Sequence, residues 1–238
     1  KDYTKLNTDY FFRQLEKTYR STEKFFDFLD ENNLITEKTS LIDACCGCGV
    51  NSIYARKRFK TTNIIGFDSQ KKFIDIGLEY LKKNYKDQKN LNLHHLDLFN
   101  LSNEILSSKR DGVFCLQTLM LFGDWRRFLL NLSKINCDWI ALSSLFYEGK
   151  IEVRQEFNEL DDNGISQLNF TYTILSIPVV ENYLKEIGFK KIKWKEFEID
   201  IDLSRGDINH IGTYTIPTID GKRMQKSGPM SMPWWFLI

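Results

Sequence analysis

An excess of charge of either sign is missing from this chain. Its 33 lysines and arginines stand against 32 aspartates and glutamates, a formal net charge of +1 over 238 residues. That balance exerts no general pull on nucleic acid or on an anionic membrane, and neither is expected as a partner. Long apolar runs are missing too: none reaches the roughly 18 residues that a spanning helix needs, so no membrane insertion is expected. The start has no secretory signal pattern. It opens at Lys1 without a methionine, which points to a trimmed or missing N-terminus. Cysteine is scarce and badly distributed for bridging, with five in all and three crowded at Cys45, Cys46 and Cys48. An odd count packed into one stretch makes a poor disulfide framework. No second pair with the Cys45–Cys48 spacing completes a zinc site, so no metal is expected. Free thiols suit a reducing cytoplasm. Only three histidines occur, His94, His95 and His210. His94 and His95 are adjacent in a predicted strand, point to opposite faces and cannot readily share a metal.

What is present suffices for a large core: 42% of the residues are hydrophobic. The length fits one α/β domain over 1–238, with a helical lead-in at 1–39 and two halves at 40–145 and 146–238. The chain is organised around Ser40-Leu41-Ile42-Asp43-Ala44-Cys45-Cys46-Gly47-Cys48-Gly49-Val50-Asn51. Leu41 and Ile42 end a buried strand, Asp43 sits where it stops, and Cys45, Gly47 and Gly49 follow at two-residue intervals before a helix over 53–58. A loop of small residues between strand and helix lets a nucleoside ligand approach the backbone. The dinucleotide fingerprint would need glycines where Cys45 and Ser52 stand, which weakens a nicotinamide reading.

Upstream, aromatic residues at helical spacing predict two helices, about 8–20 and 21–33. They form either a layer packed on the sheet or a lid through which Tyr3, Tyr10 or Arg13 reaches a ligand. Downstream, strands are predicted over 62–68, 91–98, 110–117 and 137–146, with an amphipathic helix over 69–83 and another over 121–132. Asp68 and Asp97 close the second and third strands, as Asp43 closes the first. Their structural alternatives are a helix cap shared with Ser69 and a turn before Phe99-Asn100-Leu101. Residues 151–160 and 166–175 alternate around Asp161-Asp162-Asn163-Gly164, a hairpin signal. A helix over 178–187 stopped by Gly188, a strand over 189–197, a polar turn-rich stretch over 200–230 and a final strand over 233–238 complete the chain.

The stretch from Asp43 to Gly49 resembles the first motif of class I S-adenosylmethionine-dependent methyltransferases, in which an acid precedes three alternate glycines. Cys45 stands at the first glycine position. The resemblance covers roughly 35–200 and the final strand. It implies a Rossmann-like, seven-stranded sheet with helices on both faces, and an N-terminal layer and hairpin added on the substrate side. It implies S-adenosylmethionine as cofactor, held in the 40–145 half by Asp43, Ala44, Cys45, Gly47, Gly49, Asp68, Ser69, Asp97, Leu98, Leu116 and Gln117. In the family's pattern Asp68 accepts from the ribose hydroxyls, Asp97 accepts from the adenine amine and the Leu98 amide reaches the ring. After the fourth strand, Leu116-Gln117-Thr118-Leu119 replaces the Asn/Asp-Pro-Pro-aromatic run of enzymes that methylate nucleobase amines or glutamine. The paired glutamates of arginine methyltransferases are also missing there.

The tail, His210 to Thr215 and Ser227 to Phe236, is similar to tails of bacterial methyltransferases associated with surface-glycan synthesis. The expected acceptor is therefore a hydroxyl of a sugar or sugar nucleotide, with His210 as general base and Glu148 as the next candidate. The bland reading makes Trp234 and Trp235 core residues of an edge strand. Methylation of another small metabolite at oxygen or nitrogen, a non-catalytic cofactor-binding protein and a homodimer remain open at this stage.

Overall fold

The computed structural model describes residues 12, 14–60, 63–85, 90–208 and 212–238. In chain order the elements are α1 (Arg20–Glu31), β1 (Ser40–Ala44), α2 (Val50–Phe59), β2 (Asn63–Asp68), α3 (Lys71–Asn84), β3 (Leu91–His95), α4 (Asn103–Ser107), β4 (Arg110–Leu116), α5 (Trp125–Leu132), β5 (Cys137–Tyr147), β6 (Val153–Leu160), β7 (Ser166–Ser176), α6 (Ile177–Glu186), β8 (Trp194–Glu196), β9 (Thr213–Pro217), β10 (Arg223–Ser227), β11 (Met230–Ser231) and β12 (Trp234–Leu237). Of the two helices expected at the start, the second is α1. Of the first, residues 12 and 14–16 are helical and 17–19 are not, while 8–11 and 13 lie outside the described residues, as do Tyr3, Tyr10 and Arg13.

The main sheet runs β3-β2-β1-β4-β5-β12-β8. β1 to β5 are parallel along this path, and β12 is antiparallel to both β5 and β8. Both faces are covered, so the inner strands are continuously apolar rather than alternating with polar residues. Alternation instead distributes side chains between two cores. Leu41, Phe114, Ala141, Leu145 and Phe236 face α1, α2 and α3. Ile42, Val113, Leu142, Phe146 and Leu237 face α5 and α6. The aromatic stripe of α1 packs edge-on against the sheet. Phe25 lies 5.4 Å from Phe236 and Phe26 5.3 Å from Phe114, ring centre to ring centre. Burying each such ring contributes about 1.5–3 kcal/mol, which fixes α1 over the strands.

The expected hairpin forms as β6–β7. The Asp161 carboxylate ties its turn by accepting from the amides of Asn163 and Ile165. β7 then docks on β5 beyond the end of β4, with Phe146 opposite Leu175 and Tyr147 opposite Ser176. The hairpin therefore rises from the carboxyl edge of the sheet.

Three expectations need correction. Residues 200–230 are not only turns: β9, β10 and β11 form a separate antiparallel sheet in the order β11-β10-β9. The alternation is too brief to mark them: β9 carries only Tyr214 and Ile216 on one side, and β10 has Met224 as its one apolar residue. The strand expected over 189–197 shrinks to Trp194–Glu196. The final strand is not at an edge. It is inserted between β5 and β8, which buries Trp234 and leaves Trp235 half-buried.

Candidate active site

The chain leaves β1 towards α2 on one side and leaves β4 towards α5 on the other, opening a crevice at the carboxyl ends of adjacent strands. In open α/β sheets ligands bind there. The loop after β1 is built from left-handed residues: Cys45 at φ +59°, Gly47 at +56° and Gly49 at +81°. This conformation is free for glycine and strained for cysteine. Gly49 also lacks space for a side chain, since a Cβ there would sit 2.9 Å from Leu93 Cδ1. Gly77 of α3 is tighter still, because its Cβ would come within 2.4 Å of the Cys48 carbonyl oxygen. Small residues thus let α3 press against the back of the loop.

Two carboxylates hold the loop in place. Asp43 is 1% exposed and accepts from Ser52 Oγ of α2 at 2.6 Å. Burial pushes its pKa up to about 7, against the pull of the Ser52 hydrogen bonds. Asp68 accepts from the Gly47 amide at 2.9 Å and the Gln70 amide at 2.8 Å. Burial raises its pKa and those amides pull it back. The cap of α3 is Gln70, so Asp68 bridges two loops rather than capping the helix with Ser69. Ser69 is exposed, and its carbonyl oxygen lies 3.1 Å from His95 Nε2. Asp97 caps the short turn Leu98–Asn100 through the Phe99 amide and remains exposed, while Leu98 is buried. Both His94 and His95 are exposed.

The thiols are quiet. The Cys45 thiol shares a hydrogen bond with Cys115, and that contact with burial raises it well above the usual thiol range. Burial raises Cys46 likewise and Cys48 to about 12. A thiolate nucleophile or soft-metal ligand would need the opposite shift. Among the described residues no three His, Cys, Asp or Glu side chains gather to hold a metal.

On the far side of the crevice Leu116 is buried and Gln117 is left-handed at φ +57°. The Gln117 amide donates to the Ser143 carbonyl, and its side-chain Nε2 donates to Ser21 Oγ of α1 at 3.0 Å. The next residue, Thr22, donates from Oγ1 to Asn51 Oδ1 of α2 at 2.8 Å. Ser21, Thr22, Asn51 and Gly77 were not among the expected site residues. A signal for the first two was present: they are polar at inward positions of a helix whose other inward residues are Phe25, Phe26, Phe28 and Leu29.

On the substrate side Phe157 and Phe170 stack at 5.3 Å in the hairpin, with Tyr172 beside them. They share a core with Met230, Met232 and Trp234. Among the described residues, Gln155 Oε1, Gln225 Oε1 and Trp234 Nε1 are buried without a hydrogen-bond partner. Along β6 runs an open groove of about 1060 Å³ that continues past Asp207, Ile208 and Gly228 to Met230. Among the described residues its lining includes Glu156, Glu159, Asp161, Asp162 and Asp207 and no cationic side chain. Glu148 is exposed just past β5, whose last residue Tyr147 lies beyond the level of Leu116. His210 lies outside the described residues.

No curated protein matches the sequence. The family described as "Methyltransferase domain" matches residues 41–135, from β1 to the end of α5. Solved structures with the same fold include magnesium protoporphyrin IX methyltransferase from Synechocystis PCC 6803 with bound S-adenosylhomocysteine. That match has a TM-score of 0.58 at 14% identity and covers 99% of this chain and 96% of that one. A phosphoethanolamine N-methyltransferase from Haemonchus contortus, in complex with phosphomonomethylethanolamine and S-adenosylhomocysteine, matches with a TM-score of 0.53 at 16% identity over 74% of this chain. The cyclase SpnF matches with a TM-score of 0.54 at 12% identity, also over 74%. This chain spans 39% of the N-methyltransferase and 59% of the cyclase. The cyclase shows that the fold alone does not name a reaction. Residues 41–135 thus match the methyltransferase-domain family, and the chain shares the fold of these structures, with its final strand inserted antiparallel beside β5.

Proposed function

We propose that the chain transfers a methyl group to a hydroxyl of a neutral sugar. S-adenosylmethionine supplies an electrophilic methyl on its sulfonium, so the protein's task is to align a nucleophile with it and take up the hydroxyl proton. The cofactor loops suit such a ligand. Left-handed small residues bring the Cys45–Gly49 backbone close to the crevice, and Asp68 presents a buried carboxylate there. Gly47, Gly49, Asp68, Asp97, Leu98 and Gln117 would hold the cofactor.

The observation that carries the acceptor is a group of neutral polar atoms left buried and unpaired in β6, β10 and β12, namely Gln155 Oε1, Gln225 Oε1 and Trp234 Nε1. A buried polar group without a partner costs on the order of 1–3 kcal/mol. Sugar hydroxyls donate to amide oxygens and accept from an indole, and the apolar sugar face suits Phe157, Phe170 and Tyr172. His210 is the base in this reading, with Glu148 second. The acidic groove disfavours a diphosphate-linked sugar on that side. It favours one second reading, a cationic amine acceptor.

Labelled S-adenosylmethionine offered with neutral oligosaccharides, nucleotide-linked sugars and primary amines separates these. Label in the neutral sugars supports the proposal, whereas label only in amines replaces it with the second reading. No label in any pool, together with a melting temperature raised by S-adenosylhomocysteine, identifies a binding protein and overturns transfer.

A further inference from the structure

We infer that the first turn of α1 is a clasp that positions both cofactor loops, with Ser21 and Thr22 as positioning residues. The inference rests on the cofactor reading above and adds residues that the family's motifs do not include.

The loops that bound the crevice come from opposite sides of β1 and β4, and no strand pairing links them beyond the strand ends. The loop after β4 bends at Gln117, where a non-glycine residue is held left-handed. Such a conformation persists only where surrounding contacts enforce it. One contact is the Gln117 amide on Ser143, and the other is its side chain on Ser21. The loop after β1 runs into α2, whose second residue, Asn51, receives the Thr22 hydroxyl. Adjacent residues of one helix therefore hold both walls. Ser21 is 9% exposed and Thr22 1%, so water cannot readily replace either bond.

The preceding residue extends the clasp to the acceptor half. Arg20 places its guanidinium on Asp200 through Nε at 2.7 Å and Nη2 at 2.5 Å, and Lys24 joins at 3.0 Å. Asp200 lies in the segment between β8 and β9. Three successive residues thus bind three segments that are distant in sequence. The helix body is fixed independently by Phe25, Phe26 and Phe28, so its first turn is a rigid anchor rather than a passenger.

Calorimetry of S-adenosylhomocysteine on the full chain tests this. Wild-type binding establishes the cofactor reading on its own, and its failure would sink that reading before the clasp is examined. Ser21→Ala and Thr22→Val each remove one neutral hydrogen bond, and each should weaken binding by about three- to tenfold. The variants Ser21→Thr and Thr22→Ser keep the hydroxyl and should stay within about twofold of wild type. A purely structural role would lower the melting temperature of Ser21→Ala and Thr22→Val while leaving the affinity of the folded fraction unchanged. That result would overturn the clasp. Should a single variant fail to fold, Asn51→Ala cuts the same Thr22 contact from the other side, and unchanged affinity there refutes the inference equally.

Discussion

Replacing Asp43 with asparagine should change how stability depends on pH. In the unfolded chain this carboxyl ionises near 3.8, but buried beside Ser52 it holds its proton up to about 7. Between those values the folded state binds a proton that the unfolded state has released, so stability falls as pH rises through that window and levels off above it. Each unit of separation corresponds to about 1.36 kcal/mol. From pH 5 to pH 7 the wild type should lose about 2–3 kcal/mol through this one residue. The Asp43→Asn variant keeps an acceptor for Ser52 Oγ and has no charge to bury, so it escapes the loss. Its new amide N–H needs an acceptor, which offsets the gain by on the order of 1–3 kcal/mol at every pH. The decisive quantity is therefore the change in the difference between variant and wild type. For a chain of this size it corresponds to roughly 5–10 °C in melting temperature between pH 5 and pH 7. Calorimetric melts of both proteins across that range, without ligand, give the number. Parallel curves would refute the buried, proton-holding Asp43. A variant that loses ground to the wild type as pH rises from 5 to 7 would refute the sign.

Asp68→Asn keeps one acceptor for the loop amides but loses the charge facing the crevice, and should weaken S-adenosylhomocysteine by about tenfold; equal affinity by calorimetry removes Asp68 from the cofactor site. Gly77→Ala forces α3 off the Cys48 carbonyl and should destabilise by about 1–3 kcal/mol while weakening the cofactor; a wild-type melt shows that α3 yields instead. With an acceptor in hand, His210→Ala should lower turnover by about a hundredfold and leave S-adenosylhomocysteine binding unaltered; turnover within about twofold of wild type excludes His210 as base.

Much of the sheet was legible because its strands are buried on both faces. Leu41-Ile42, Ile64-Ile65 and Val113-Phe114-Cys115 are short apolar runs ended by turn residues, and each became a strand at its expected place within one or two positions. The hairpin was legible for a second reason. Its turn carries Asp161, Asn163 and Gly164, whose chemistry is local and independent of packing. Where neither condition holds, the sequence misleads. The stretch from Phe189 is expected to be a strand, yet the last strand lies beside only its later part, from Lys193 opposite Ile238 to Phe197 bonded to Trp234. β9 and β10 carry a turn at Asp220-Gly221, but their apolar residues, Tyr214 and Ile216 in one and Met224 in the other, are too few to set a period.

The same distinction explains what could be read of the site. Asp43, Asp68 and Asp97 are each marked by position, at the end of an apolar run, and all three come to the carboxyl edge of adjacent strands β1, β2 and β3. Their present contacts are with the protein: Ser52, Gly47, Gln70 and the Phe99 amide. A carboxylate is costly if left buried and unpaired, and the chain's own hydroxyl and amides satisfy these. The clasp had no such mark. Ser21 and Thr22 meet Gln117 and Asn51 across 96 and 29 positions of sequence. A hydrogen bond over such a span depends on where α1 lands. That is decided by Phe25 and Phe26 reaching Phe236 and Phe114, which are contacts between helix and sheet within one core rather than a pattern along the chain. The carboxylates proposed to recognise the cofactor sit at strand ends and are visible in one dimension. The residues proposed to position its loops become visible only after the layers have packed.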